Sequence, residues 1–221
     1  MERIFFIGDI HGCSKTFRKL VKERIAIKKS DRLYCVGDYI DRGNDSKDVV
    51  DFILELREDN YQVYTLRGNH EQMLLDSTRG KEEFSLWLMN GGDTTLRDFK
   101  VDSIDELNTV YYEFFRETSH YIQEDGFIAV HAGLNFDQPD PLEDKYSMIW
   151  TRDFHVDKSF LDGRLLIHGH TPRERDYIIS QDFKSSFNID GGCVYKNLYG
   201  MGNLFALDFH QQKLIEVPNI D

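Results

Sequence analysis

The chain has no apolar run of eighteen residues, so it offers no candidate for a membrane-crossing helix. Its three cysteines, Cys13, Cys35 and Cys193, are too few and odd in number for a disulfide framework. Cys35 lies inside an apolar segment and reads as a small packing residue. Basic side chains are outnumbered, with 27 Lys and Arg against 39 Asp and Glu and a net charge of −12. That balance argues against broad nucleic-acid binding, which needs a basic footprint. No basic segment leads into an apolar signal region at the N-terminus, and no linker, low-complexity tract or long charge block interrupts the sequence. These absences predict a cytoplasmic protein of one domain over residues 1–221, with neither nucleic acid nor membrane among its partners.

What the sequence does contain is a recurring pattern. "RIFFI" (3–7) is a β-branched and aromatic run ended by Gly8, with Asp9 and His11 at the turn. "DRLYCVGDYIDRG" (31–43) repeats it with Gly37-Asp38, and "YQVYTLRGNHE" (61–71) repeats it with Gly68-Asn69-His70. Between these runs lie helical patterns at 14–27 and 46–59, the second apolar at 49, 50, 53, 54 and 56. Strand–helix–strand at this period predicts an α/β protein with parallel strands. Ligands of such sheets bind outside the carboxyl ends of the strands, where Asp9, His11, Asp38, Asn69 and His70 all fall. "FIAVHAG" (127–133) and "RLLIHGHTP" (164–172) add His131, His168 and His170, and are expected on the same edge.

Residues 72–120 carry helical patterns and predict a helical layer or lid beside that edge. Within them "MNGGD" (89–93) reads as a glycine stop followed by an Asp N-cap. The later runs "HYIQE", "DYIIS", "SFNID", "LFALDF" and "KLIEV" predict a second, mostly antiparallel sheet facing the first.

The candidate ligands are Asp, Asn and His, with no thiolate among them. Such donors suit Mn, Fe or Zn rather than a structural Cys–zinc site. Asp9, His11, Asp38, Asn69, His131, His168 and His170 make seven candidates, too many for one catalytic ion with an open position. Two ions about 3.5–4 Å apart would use them, with Asp38 as the bridging carboxylate, and would activate water for displacement at phosphorus. Arg42, Arg67 and Arg152 offer guanidinium forks for phosphate oxygens. Arg42 is tied to a ligand turn, whereas Arg67 is equally open to a structural role. His70 is either a ligand itself or a general acid whose other ring N–H goes to Asp41.

Taken in order, "GDIHG" (8–12), "GDYIDRG" (37–43), "GNHE" (68–71), "HAG" (131–133) and "HGHTP" (168–172) resemble the motifs of the metal-dependent phosphoprotein phosphatases. The likeness is to their bacterial and phage branch, typified by phage lambda phosphatase. "NGG" (90–92) and "NIDGGCV" (188–194) also fit. The resemblance implies the calcineurin-like metallophosphoesterase fold, a four-layer α/β/β/α sandwich of two mixed sheets with flanking helices. It implies two divalent metal ions, manganese first and iron or zinc as alternatives. Asp9, His11 and Asp38 would hold one; Asp38, Asn69, His131 and His170 would hold the other. His70 would be the general acid paired with Asp41, and Arg42, Arg152 and Asn69 would bind phosphate. His168 has no fixed counterpart in the motif and is expected behind the ligands.

The function so implied is a serine/threonine protein phosphatase, acting on phosphorylated proteins or peptides and extending to phosphotyrosine. Water activated by the two ions would attack phosphorus directly, with no phosphoenzyme. The nearest alternative is a symmetrical dinucleoside tetraphosphate hydrolase, whose relatives tend to carry "GNHD" and to lack the "DRG" aspartate; Glu71 and Asp41 favour the phosphatase. A nuclease fits the acidic charge poorly. A non-catalytic interaction scaffold would be expected to have lost ligands that this chain retains.

Overall fold

The structure is a computed structural model and describes residues 2–221. The chain opens with β1 (Ile4–Ile7), α1 (Ser14–Lys19), which widens into a π-type turn over Leu20–Ile25, β2 (Arg32–Cys35), α2 (Ser46–Glu58) and β3 (Gln62–Thr65). Four helices follow: α3 (Asn69–Asp76), α4 (Lys81–Trp87), α5 (Asp93–Phe99) and α6 (Thr109–Arg116). Then come β4 (Tyr121–Glu124), β5 (Phe127–Val130), α7 (Lys145–Trp150), α8 (Lys158–Leu161), β6 (Leu165–His168), α9 (Arg175–Ser180), β7 (Ser186–Asn188), β8 (Asn203–Asp208) and β9 (Lys213–Pro218).

The strands form two mixed sheets, of order β3-β2-β1-β8-β9 and β4-β5-β6-β7. In the first, β1, β2 and β3 are parallel and in register, with Phe5 opposite Leu33 and Leu33 opposite Val63. The strand period of two explains the layering. Phe5 and Ile7 face outward and pack with Phe17, Phe52 and Trp87 of the helical layer. Ile4 and Phe6 face inward and meet Phe127, Ile167 and Phe187 of the second sheet. The second sheet's other face, Ile128, Val130 and Leu166, is covered by Met148, Ile149 and Leu161. Every residue of β1 and β5 is buried, as a strand covered on both sides requires.

The second sheet departs from the sequence expectation. It is not mostly antiparallel: β5–β6 and β6–β7 are parallel, and β4–β5 alone among its pairs is antiparallel. The late runs "LFALDF" and "KLIEV" are antiparallel strands, but they extend the first sheet through β1–β8. "DYIIS" lies in α9, a short helix with Ile178 as its buried contact. The strand ends carrying His131 and His168 therefore belong to a second sheet edge, which faces the first across the inner core. "MNGGD" is a kink rather than a stop: the helix passes through Gly91 at φ 104°, and Asp93 is the first residue of α5 rather than its cap.

Candidate active site

The loops after β1, β2 and β3 bring Asp9, His11, Asp38, Asp41, Asn69 and His70 into one buried cluster, and the loops after β5 and β6 bring His131 and His170 against it. The loops turn sharply to do so. His11, Asp38, Asp41, Arg42 and His170 all have positive φ, between 45° and 69°. Such backbone costs about 1–3 kcal/mol per residue and persists only where the surroundings impose it. Gly68 permits a close approach, since a Cβ there would stand 2.1 Å from Asp38 Oδ1.

Hydrogen bonds fix which ring nitrogens face the cluster. His11 Nδ1 donates to the Ile40 carbonyl at 2.8 Å, and His131 Nδ1 donates to the Val36 carbonyl at 2.9 Å. Both Nε2 atoms are thereby left as lone pairs, and burial keeps both imidazoles below their ordinary pKa, hence neutral. The His131 lone pair points at another acceptor, Asp38 Oδ2, at 3.5 Å; the His11 lone pair lies 3.4 Å from the same oxygen and also accepts from Arg42 Nη1 at 2.7 Å. Asn69 Oδ1 lies 3.1 Å from His131 Nε2 and 2.9 Å from His170 Nδ1. Buried acceptors converging on one another repel unless a cation lies among them. The donor set is oxygen and imidazole, with His11 and His131 each braced by a backbone carbonyl, and it fits divalent cations of the Mn, Fe or Zn kind. Two donor groups, His11–Asp38–His70 and Asp38–His131–His170, share Asp38.

Asp9 lies outside both groups, its carboxylate accepting the His170 amide at 3.1 Å. Burial, with Asp190 and Asp38 as neighbouring carboxylates, pushes Asp9 well above the carboxylate range. Burial and Asp38 likewise push Asp190 up to about 7. Burial also pushes Asp38 up, but the positive charge that His131, His70 and His11 carry whenever they are protonated outweighs it and holds Asp38 below the usual range.

His70 Nδ1 is 2.6 Å from Asp41 Oδ2, and both side chains are fully buried. Its Nε2 is buried with no protein hydrogen-bond partner, 4.0 Å from Asp38 Oδ2. This nitrogen belongs to the first donor group as well, so geometry alone permits either role for it. Arg42 Nη1 lies 2.7 Å from His11 Nε2, and its guanidinium stands 5.8 Å from the Tyr195 ring. Arg152 is exposed just after α7, near enough for its charge to lower the pKa of His131 and His170. His168 packs edge-on to Phe154 at 5.3 Å, outside both donor groups. Arg67 turns away from the cluster: it donates to the carbonyls of Phe115, Arg116 and Thr118 at the end of α6.

Four buried residues of the site were absent from the sequence-derived set. Glu71 accepts the amides of Asp38, Tyr39 and Gly68, each at 2.9 Å, and so knits the β2 and β3 loops together. Its signal was present in "GNHE", a Glu three residues after a helix N-cap. Trp87 and Thr95 donate to the Asp41 carboxylate, and Asp190 stands behind Asp9. Trp87 and Thr95 carry no local signal, because the carboxylate they hold is distant in the chain, whereas Asp190 lies within the "NIDGGCV" run. Beside the cluster runs a groove of about 720 Å³ lined by Met73, Leu86, Asn90, Tyr146, Ile149 and Trp150, with Lys145 and His120 adding positive or polar groups.

Two mixed sheets packed face to face, with strand-end loops converging on a shared carboxylate, define a metallophosphoesterase. The chain belongs to the calcineurin-like phosphoesterase family, whose model matches residues 2–208. Members use divalent metals to hydrolyse phosphoesters, and the Asp and His clusters described above are able to bind them. The chain is 30% identical to "Serine/threonine-protein phosphatase 1" of Salmonella typhimurium, over 88% of each chain. It is 28% identical to "Bis(5'-nucleosyl)-tetraphosphatase PrpE [asymmetrical]" of Anoxybacillus flavithermus, over 96% of this chain and 93% of that one. In fold it is similar to a cold-active protein-tyrosine phosphatase of a psychrophilic Shewanella, with a TM-score of 0.66, 18% identity, and coverage of 99% of this chain and 78% of that one.

Proposed function

We propose that the protein is a phosphomonoesterase that removes phosphate from serine and threonine side chains of proteins or peptides and extends to phosphotyrosine. Two divalent ions serve it, manganese first. Asp9, His11 and Asp38 would hold one ion, and Asp38, Asn69, His131 and His170 would hold the other. Bound there, the ions supply Lewis acidity toward phosphate and an activated water. Arg42 and Arg152 take the outer phosphate oxygens, where guanidinium forks match the developing charge, and Asn69 also faces the phosphate. His70 protonates the departing oxygen.

The observation that carries this reading is the buried Asp41–His70 pair at 2.6 Å, with His70 Nε2 left unpartnered toward the cluster. An alcohol is a poor leaving group and needs a proton donor; a nucleotide leaving group is already a stable anion and needs none. The likeness to PrpE favours a second reading, hydrolysis of dinucleoside tetraphosphates. The groove beside the site has room for either a peptide segment or a nucleoside.

The deciding assay offers manganese-loaded protein a phosphothreonine peptide and diadenosine tetraphosphate in equal amounts and separates the products. The expected result is peptide dephosphorylation with the dinucleotide intact, abolished by Asp38→Asn. Nucleotide release with the peptide untouched would overturn the substrate assignment in favour of the second reading.

A further inference from the structure

We propose that Trp87 and Thr95, two residues of the helical segment between β3 and β4, are positioning residues that lock His70 as proton donor to the leaving group. The inference rests on the phosphomonoesterase reading. Its basis is the hydrogen-bond arithmetic around Asp41. Oδ2 accepts from Trp87 Nε1 at 2.9 Å, and an indole N–H can only donate. Oδ1 faces Thr95 Oγ1 at 2.6 Å. That hydroxyl also accepts the Asp41 amide at 3.0 Å, and with Asp41 as a carboxylate its own proton goes to Oδ1, the nearer and charged acceptor, ahead of Ser46 Oγ at 3.4 Å. Both carboxylate oxygens are therefore acceptors, and the remaining partner, His70 Nδ1 at 2.6 Å, must be the donor. The tautomer is fixed with hydrogen on Nδ1. When the ring is protonated, the second hydrogen sits on Nε2, the atom aimed at the cluster with no protein partner.

The helix backbone is shaped to make this contact. Trp87 ends α4 and Thr95 lies in the first turn of α5, and a straight helix would not aim both at one carboxylate. The π-type turn over Leu88–Gly92, with Gly91 at φ 104°, provides the bend. Gly92 lies under the indole, where a Cβ would stand 2.5 Å from the ring. The Gly91 carbonyl also accepts the Arg42 amide at 3.3 Å, so the same bend holds both the acid pair and the phosphate arginine.

In the reaction the bond from phosphorus to the leaving oxygen breaks, and that oxygen takes the proton from His70 Nε2. Water forms the new bond to phosphorus and releases a proton, so His70 is restored by exchange with solvent. A positioning role predicts damage that grows as the leaving group becomes more basic. A merely structural role would slow all esters alike.

The test compares p-nitrophenyl phosphate, whose phenolate leaves unaided, with phenyl phosphate, whose phenolate needs the proton more. The manganese-loaded wild type, Thr95→Val, Trp87→Phe, the double variant and a His70→Asn reference are assayed on both. For the double variant kcat should fall about ten- to hundredfold on phenyl phosphate, inside the 10²–10⁴ range of general acid catalysis, and less than about threefold on the nitrophenyl ester. KM should hold, and Thr95→Ser should recover the single-variant loss. A second readout needs no turnover: in protein labelled with ¹⁵N-histidine, His70 of the wild type should carry hydrogen on Nδ1, and the double variant should show a tautomer mixture. Equal losses on both esters, or a wild-type His70 protonated at Nε2 alone, would overturn the inference while leaving an active wild type as a phosphomonoesterase. A wild type inactive on both esters would instead overturn the reading on which it rests.

Discussion

At the residue scale, Gly68 shows how little space the site allows. Its φ of −84° is ordinary, so the glycine is not there for backbone freedom. It is there because a Cβ would stand 2.1 Å from Asp38 Oδ1 and 2.7 Å from Glu71 Oε2. Both carboxylates are buried and tied to backbone amides, so neither can step aside without breaking hydrogen bonds. Gly68→Ala is expected to cost about 1–3 kcal/mol of stability, the usual range for overpacking. It should also weaken divalent-metal binding at least tenfold by pushing Asp38 off its histidine partners. Metal content after gel filtration, measured beside a denaturant melt, checks both. A variant that melts early yet retains its full metal content would show that Asp38 does not govern binding.

At the element scale, Arg67 is the informative case. Its place directly before the "GNHE" turn left it open, in the sequence, between a phosphate contact and a structural role. Side-chain direction decides: the guanidinium reaches the α6 terminus and donates to the carbonyls of Phe115, Arg116 and Thr118 there. Arg67→Met should therefore lower stability by about 1–3 kcal/mol, the worth of hydrogen bonds from a charged group to a partly buried helix end. Turnover of an aryl phosphate should stay within about twofold. A melting temperature unchanged beside a large rise in KM would return Arg67 to the substrate. The same contrast explains what could be read from the chain. β1, β2 and β3 were legible because each is a short apolar run closed by glycine and a polar turn, and parallel pairing follows from the helix between. The ligand residues were legible because they sit at those turns. α9 was not, since "DYIIS" carries branched residues in a segment too short to show helical period. The sheet membership of β8 and β9 was not, since a local pattern does not name its pairing partner. Trp87 and Thr95 lie 46 and 54 residues from the aspartate they hold, beyond any local signal.

At the scale of the whole molecule, the cluster is the seam between two sheets. Asp9, His11, Asp38 and Asn69 follow strands of the first sheet, and His131 and His170 follow strands of the second. Protein hydrogen bonds across the seam include His131 Nδ1 to the Val36 carbonyl and the His170 amide to Asp9. Against them stand acceptors that face one another and the paired carboxyls of Asp9 and Asp190. Cations bound there replace repulsion by attraction and clip the sheets together, so metal should act as a folding ligand. At a hundredfold excess over Kd, binding stabilises by about 2.7 kcal/mol. For a chain of this size that corresponds to roughly 5–10 °C in melting temperature, reversed by a chelator. The pattern across variants counts the ions. Asp38 belongs to both donor groups, His11 to one and His131 to the other. If each group holds its own cation, Asp38→Asn should abolish the manganese-induced shift, whereas His11→Ala and His131→Ala should each keep part of it. If the groups share a single cation, either histidine substitution should remove the whole shift. Melting curves for the three variants, with and without manganese, would separate one ion from two without any assay of turnover.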